Sequence, residues 1–150
     1  MKPTVILRHR RENLKKCSLR GLEGKSGFIF YTYPVDPLPD LTDYLLLKVG
    51  APPLTEEDKD RGLFLIDGTW RLAQIMEKQL PQKLEARSLP PGYKTAYPRK
   101  QTHCPDPESG LSSLEAIYVA HRILGRAADQ LLDSYYWSEL FLTINGFIPK

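Results

Sequence analysis

The sequence predicts an α/β fold built on a mainly parallel sheet with helices on both faces, and three observations carry that expectation. Short β-branched and aromatic runs at 4–7, 27–32, 44–49 and 63–66 have the length and composition of buried strands. After Gly68 the apolar period changes, with Trp70, Ala73, Ile75, Met76 and Leu80 marking one helical face before Pro81. Strands then alternate with helical stretches, which favours parallel pairing. In such sheets ligands sit beyond the carboxyl ends of the strands.

The elements follow in order. The run at 4–7 leads into a basic loop, and the strand at 27–32 is followed by Pro34, Pro37 and Pro39, which forbid helix and mark an irregular connection. Thr55-Glu56-Glu57-Asp58 has the form of a capped helix start. Residues 63–66 and the helix of 69–80 make a strand, turn and helix unit around Asp67-Gly68-Thr69-Trp70. A further strand is expected at 84–89. Residues 90–110 carry Pro90, Pro91, Pro98, Pro105 and Pro107, and a connection of that length is usually functional or disordered. A capping box, Ser112-Ser113-Leu114-Glu115, opens a helix expected to reach Leu124. A longer helix is expected over 127–144, where Leu131, Leu132, Tyr135, Tyr136, Leu140, Phe141 and Ile144 form a wide apolar stripe.

With 150 residues and 41% hydrophobic content the chain has the size of one domain that buries its own core. Its two cysteines, Cys17 and Cys104, have no partners at metal-ligand spacing, so no metal is expected and a reducing compartment fits. No apolar run reaches the roughly 18 residues of a membrane span, and the short run after Met1 is not a signal sequence, so a cytoplasmic location is expected. The absence of G-x-G-x-x-G and G-x-x-x-x-G-K-[ST] leaves ordinary dinucleotide and P-loop binding unsupported.

Net charge is +3, but residues 1–25 hold eight Lys/Arg against Glu12 and Glu23, so that segment is +6 and the remainder −3. Residues 87–103 add Arg87, Lys94, Arg99 and Lys100 with no acid between them. The two stretches either form one polyanion-attracting face or are two solvated loops.

Asp67 follows an apolar run and precedes a glycine, so its carboxylate should emerge at the sheet rim. There it either caps the following helix or serves a ligand, as an acceptor for ribose hydroxyls or as a proton acceptor. Trp70 is either core or a flat wall against a purine. Ser112 is either a plain N-cap or part of an anion site at a helix amino terminus. A Cys-His pair at His103 and Cys104 is disfavoured because adjacent side chains rarely face each other.

Leu65-Ile66-Asp67-Gly68-Thr69-Trp70 with Ala73 resembles the D-x-T-W signature of the DTW-domain proteins, and Gly110-Leu111-Ser112-Ser113-Leu114-Glu115-Ala116 resembles their L-S-[ST]-x-E-A motif. Lys15-Lys16-Cys17-Ser18 resembles the K-K-C-[ST] segment of the related ribosomal RNA aminocarboxypropyltransferases. The stretch from Tyr135 to Asn145 resembles their terminal F-x-W-G-x-x-F-L-x-x-N. Two departures stand out. The chain lacks the amino-terminal cysteine cluster of some DTW proteins, and Ser138 replaces the glycine of the last motif.

This resemblance implies a SPOUT-like α/β fold with a carboxy-terminal trefoil knot. It implies transfer of the 3-amino-3-carboxypropyl (acp) group from S-adenosylmethionine to a uridine-type base of tRNA or rRNA, with release of 5′-methylthioadenosine. By the same resemblance Ile66 and Thr69 offer backbone groups to adenine, and Trp70, Thr32 and Pro34 line its pocket. Asp67, the expected catalytic residue, and Ser18 meet the ribose or the transfer centre. Ala73 and Ser112 lie near the methionine carboxylate, and Glu115 of the same motif completes the cofactor set. Arg8, Arg10, Arg11, Lys15, Lys16, Arg20, Arg99 and Lys100 are expected to grip RNA phosphates, with Tyr93, Tyr97 or His103 stacking on an exposed base. The alternatives are a SPOUT-type methyltransferase with the same cofactor and a noncatalytic RNA-binding module.

Overall fold

Tyr31, Arg8, Asp67 and Leu46 lie on four adjacent strands of one sheet, in which every pairing is parallel. The computed structural model of the chain describes residues 2–10, 18–68, 70–96, 111–128 and 130–147, with backbone alone for Ser18, Arg20 and Trp70. Strands β1 (Thr4–His9), β2 (Phe28–Tyr33), β3 (Tyr44–Leu47), β4 (Gly62–Asp67) and β5 (Glu85–Arg87) assemble in the order β2-β1-β4-β3-β5. The helices are α1 (Trp70–Lys78), α2 (Ser113–Ile123) and α3 (Ser138–Ile144).

Strand alternation sorts the core into two layers. Val5 and Leu7, Leu46 and Phe64 turn to one face, where Leu41, Tyr44 and Met76 of α1 close over them. Ile6, Leu45, Leu47, Leu63 and Leu65 turn to the other, against Leu114, Ile117 and Tyr118 of α2 and Phe141 of α3. Both faces are therefore covered, which is why the central strands read as nearly continuous apolar runs. The expected mainly parallel sheet with helices on both faces is observed.

The SPOUT-like form of that sheet is corrected. The described residues make a five-stranded parallel α/β sheet with helices packed on its two faces, and no trefoil knot is shown among them. The apolar periodicities that indicate a sheet carry no information about threading, which belongs to the path of the chain, and knotted paths are rare.

Local chemistry explains most boundaries. Strand β3 stops at Leu47, short of the expected 49, because the chain turns through Gly50 at φ 87°. The Thr55 capping box forms, with Asp58 reaching back to the Thr55 amide, but it opens a single 3-10 turn over Glu56–Asp58 rather than a helix. Helix α1 ends at Lys78, and Gln79 and Leu80 close the last turn onto Met76 and Glu77 before Pro81. Helix α2 ends on Gly125 at φ 72°, whose left-handed conformation lets the Arg126 amide return to the carbonyl of His121 at 2.8 Å.

One element differs. Residues 130–134, 136 and 137 are turns, and among the described residues of the expected 127–144 helix only Ser138–Ile144 is helical. Asp133 and Ser134 favour local turn bonding over helix, and the turns bring Leu131, Leu132 and Tyr135 to the core without helical geometry. The apolar stripe is borne out in part: Leu131, Leu132, Tyr135 and Phe141 are buried, whereas Tyr136, Leu140 and Ile144 are exposed. No helix among the described residues is long and apolar enough to cross a membrane.

Candidate functional site

The carboxyl ends of β2, β1 and β4 form one rim. Arg8 is the register partner of both Thr32 and Asp67, while Leu7 pairs with Ile66 and His9 with Tyr33. Register partners share a face, so Thr32, Arg8 and Asp67 stand on the α2 side. Neighbouring strands lie about 4.8 Å apart, so Thr32 and Asp67 are separated by roughly 10 Å across the rim.

Asp67 is buried at this rim and held from two directions. Its Oδ1 accepts a hydrogen bond from Ser113 Oγ at 2.9 Å, and its Oδ2 lies 3.5 Å from Arg8 Nε. The first contact fastens the end of β4 to the first turn of α2. Asp67 is thus engaged by a different helix from the one that follows it in sequence.

Arg8 does not belong to a solvated phosphate-gripping face. It is 7% exposed, its Nη1 meets Glu23 Oε2 at 3.1 Å, and its guanidinium lies 4.6 Å from the centre of the Phe30 ring. The reason is parity: position 8 falls on the α2 face of β1, directly beside the carboxylate that neutralises it. Arg10 is exposed.

Ser112 caps α2. Its Oγ accepts from the Glu115 amide at 3.2 Å, and its own amide donates to Glu115 Oε1 at 2.8 Å. This reciprocal box leaves the helix amino terminus turned toward Asp67, where its dipole favours an anionic group. Glu115 itself is fully buried. Thr95 Oγ1 and the Ala96 amide donate to it at 2.6 and 2.8 Å, and Tyr135 OH at 2.9 Å. With Ser112 that makes four donors, which fills the roughly four lone-pair sites of a carboxylate, so Glu115 holds the site together rather than facing a ligand.

The remaining expected residues distribute as follows. Ile66 is half-buried on the α1 face, and Ala73 is half-buried on α1. Thr32 donates its amide to Asp36 Oδ2 at 2.9 Å, and Pro34, joined to Tyr33 by a cis peptide, is exposed at the end of β2. Ser18 and Arg20 lie in a 3-10 turn over Ser18–Leu22, and the backbone of Trp70 opens α1. Thr69, Arg11, Lys15, Lys16, Tyr97, Arg99 and Lys100 lie outside the described residues, as do His103 and Cys104. Among the described residues no group of three or more His, Cys, Asp or Glu side chains converges as a metal site.

Several site residues had no sequence signal. Ser113 lies within the capping motif, but nothing there distinguishes it from a solvent-facing serine. Glu23 is one acid in a basic stretch, and His9, buried beside the Tyr33 ring at 5.5 Å, is one position in an apolar strand. Only the tertiary contacts reveal them: Ser113 and Glu23 through Asp67 and Arg8, and His9 through its place on β1 beside Tyr33. A cavity of about 390 Å³ lies elsewhere, between the end of α1 and β3 and β5, lined by Lys48, Glu77 and Lys83 among others. None of the expected site residues lines it, and it lacks the buried polar convergence found at Asp67.

The structure of the SAM-dependent rRNA:acp-transferase Tsr3 from Vulcanisaeta distributa matches 97% of this chain and 80% of its own, with a TM-score of 0.71 and 27% identity. The chain is similar to that transferase along nearly its whole length. The likeness supports a related acp-transferase fold, and not a DTW domain or a SPOUT knot specifically. No family model matches the chain, and no curated protein matches it.

Proposed function

We propose that this protein transfers the 3-amino-3-carboxypropyl group of S-adenosylmethionine to a uridine-type base in RNA, with release of 5′-methylthioadenosine. The observation that carries the reading is the likeness to an SAM-dependent rRNA:acp-transferase over 97% of the chain. That likeness favours rRNA over tRNA as acceptor. A cytoplasmic location fits such an acceptor.

The rim suits the donor chemically. Asp67 and Thr32 offer hydrogen-bonding groups on one face across roughly 10 Å, a span that suits a nucleoside. In this reading Trp70 and Pro34 line the adenine pocket with Thr32, Ile66 and Thr69 offer it backbone groups, Ala73 lies near the amino-acid carboxylate, and Ser18 joins Asp67 at the ribose or the transfer centre. The amino terminus of α2 at Ser112 suits the carboxylate of the amino-acid portion. When bound, the sulfonium makes its adjacent carbons electrophilic, and the carbon presented to the nucleophile decides which group moves.

The residues then have defined tasks. The acceptor N3 forms one N–C bond as one C–S bond breaks, and its proton leaves to solvent, with Asp67 placed to assist. Ser113 and Arg8 hold Asp67 in orientation. Arg10, with Arg11, Lys15, Lys16, Arg20, Arg99 and Lys100, neutralises RNA phosphates in this reading, and Tyr97 stacks on an exposed base.

The test is to incubate the protein with S-adenosylmethionine and bulk RNA and to identify the small-molecule product by mass. Methylthioadenosine is expected. S-adenosylhomocysteine would establish methyl transfer instead, and neither product, with RNA still bound, would indicate a binding module. Asp67→Ala should abolish turnover while leaving RNA affinity nearly unchanged, and intact turnover in that variant would remove Asp67 from its assigned role.

A further inference from the structure

An ordinary capping-box glutamate makes one reciprocal bond at the solvent edge of its helix. Glu115 is fully buried and takes three donors from outside the helix as well, from Thr95, Ala96 and Tyr135. A buried carboxylate is costly unless every lone pair is used, and here the donors come from distant parts of the chain.

Their positions have a pattern. Thr95 and Ala96 precede residues 97–110, and Ser112 follows them, so one carboxylate receives the chain from both sides of that stretch. The same approach is fastened a second time. Asn145, at the end of α3, accepts from the Lys94 amide at 2.6 Å and donates to the Lys94 carbonyl at 2.8 Å. Beyond Ser112, the first turn of α2 presents Ser113 to Asp67 at 2.9 Å.

We propose that Glu115 is a positioning residue whose carboxylate ties residues 95–96 to the amino terminus of α2 and thereby fixes the Ser112–Ser113 wall against Asp67. The assignment rests on the reading of this rim as the S-adenosylmethionine site. Glu115 touches neither substrate nor reacting atom; it acts through the backbone it holds.

The test uses Glu115→Gln, which replaces one acceptor oxygen by an amide nitrogen facing donors. Amide hydrogen exchange is measured on the ligand-free full chain, and S-adenosylmethionine affinity by calorimetry at a temperature where both proteins are folded. Each oxygen takes two of the four donors, so exchange should rise by about tenfold at whichever of the Ala96 and Ser112 amides meets the new amide nitrogen, for its own lost hydrogen bond, and rise at the other through the loosened tie, while β1 and β4 amides stay protected. Affinity should fall by about the same factor. Unchanged exchange at either amide, or unchanged affinity in a folded variant whose melting temperature alone has dropped, overturns the assignment. Should that variant fail to fold, Tyr135→Phe and Thr95→Val each remove one donor and keep the carboxylate, and smaller shifts in the same direction are required of both. If the unmodified protein binds no S-adenosylmethionine, the cofactor reading fails, and the tie stands or falls on exchange alone.

Discussion

Arg8 and Asp67 are register partners on adjacent parallel strands, and their side chains meet again above the sheet, Nε to Oδ2 at 3.5 Å. Both are buried. Removing the cation leaves a buried carboxylate with an uncompensated charge, so Arg8→Met should destabilise the fold by about 3 kcal/mol in urea unfolding. Glu23 is much more exposed, and Glu23→Gln should cost less than about 1 kcal/mol. Because Arg8 faces inward, RNA affinity of a folded Arg8→Met protein should be unchanged, whereas Arg10→Ala should weaken it and reduce its salt dependence.

The two serines at the start of α2 have different partners, and they separate experimentally. Ser112→Ala removes an N-cap and should cost about 1 kcal/mol of stability. Ser113→Ala removes the hydroxyl that orients Asp67 and should lower turnover by about tenfold, the rate equivalent of one lost hydrogen bond, with little change in melting temperature.

Gly62 carries the Tyr44 ring. A Cβ at position 62 would fall 2.5 Å from Tyr44 Cε2, and the two residues are register partners on β4 and β3. Gly62→Ala should therefore destabilise by about 1–3 kcal/mol and lower the melting temperature by several degrees. Tyr44→Leu in the same protein should recover part of that loss, since it removes the ring that clashes.

His121 sets an acid limit on the fold. Burial lowers its pKa below the usual 6.5, opposed by its hydrogen bond to the Ala127 carbonyl and reinforced by the nearby Arg126 charge. Its Nδ1 lies 3.1 Å from the Ala127 carbonyl, its Nε2 3.2 Å from Thr4 Oγ1, and Phe28 stacks on its ring. The folded state keeps the ring neutral while the unfolded chain takes up a proton near 6.5. Its contribution is whole above that pH and is lost as the pH falls below it. Thermal melts from pH 8 downward should show this decline beginning near 6.5, and His121→Gln should flatten it.

Periodicity in the sequence was enough for the parallel sheet, the strand-turn-helix unit at Asp67 and the capping box at Ser112, because each is a local pattern written in neighbouring residues. Burial of Tyr135 and Phe141 was legible too, and Phe141 is helical as expected, but the backbone at Tyr135 was not legible: the same spacing serves a helix or a series of turns. Arg8 shows the limit most clearly. Its neighbours in sequence are basic and suggest a charged surface, while its neighbours in space are Asp67, Glu23 and Phe30, fixed by a register no single segment encodes. Glu115 looked like half of a cap. The donors that occupy its other lone pairs are 19 and 20 residues away.

Because each pairing in the sheet is parallel, no strand can find its neighbour through a tight hairpin. Asp67 meets Arg8 from 59 residues away and Ser113 from 46, so large loops must close before the rim exists. During synthesis a nascent chain that has exposed β1 to β4 still lacks α2. The rim is therefore complete only after Ser113 has cleared the ribosome, so the candidate site assembles late in the synthesis of each chain.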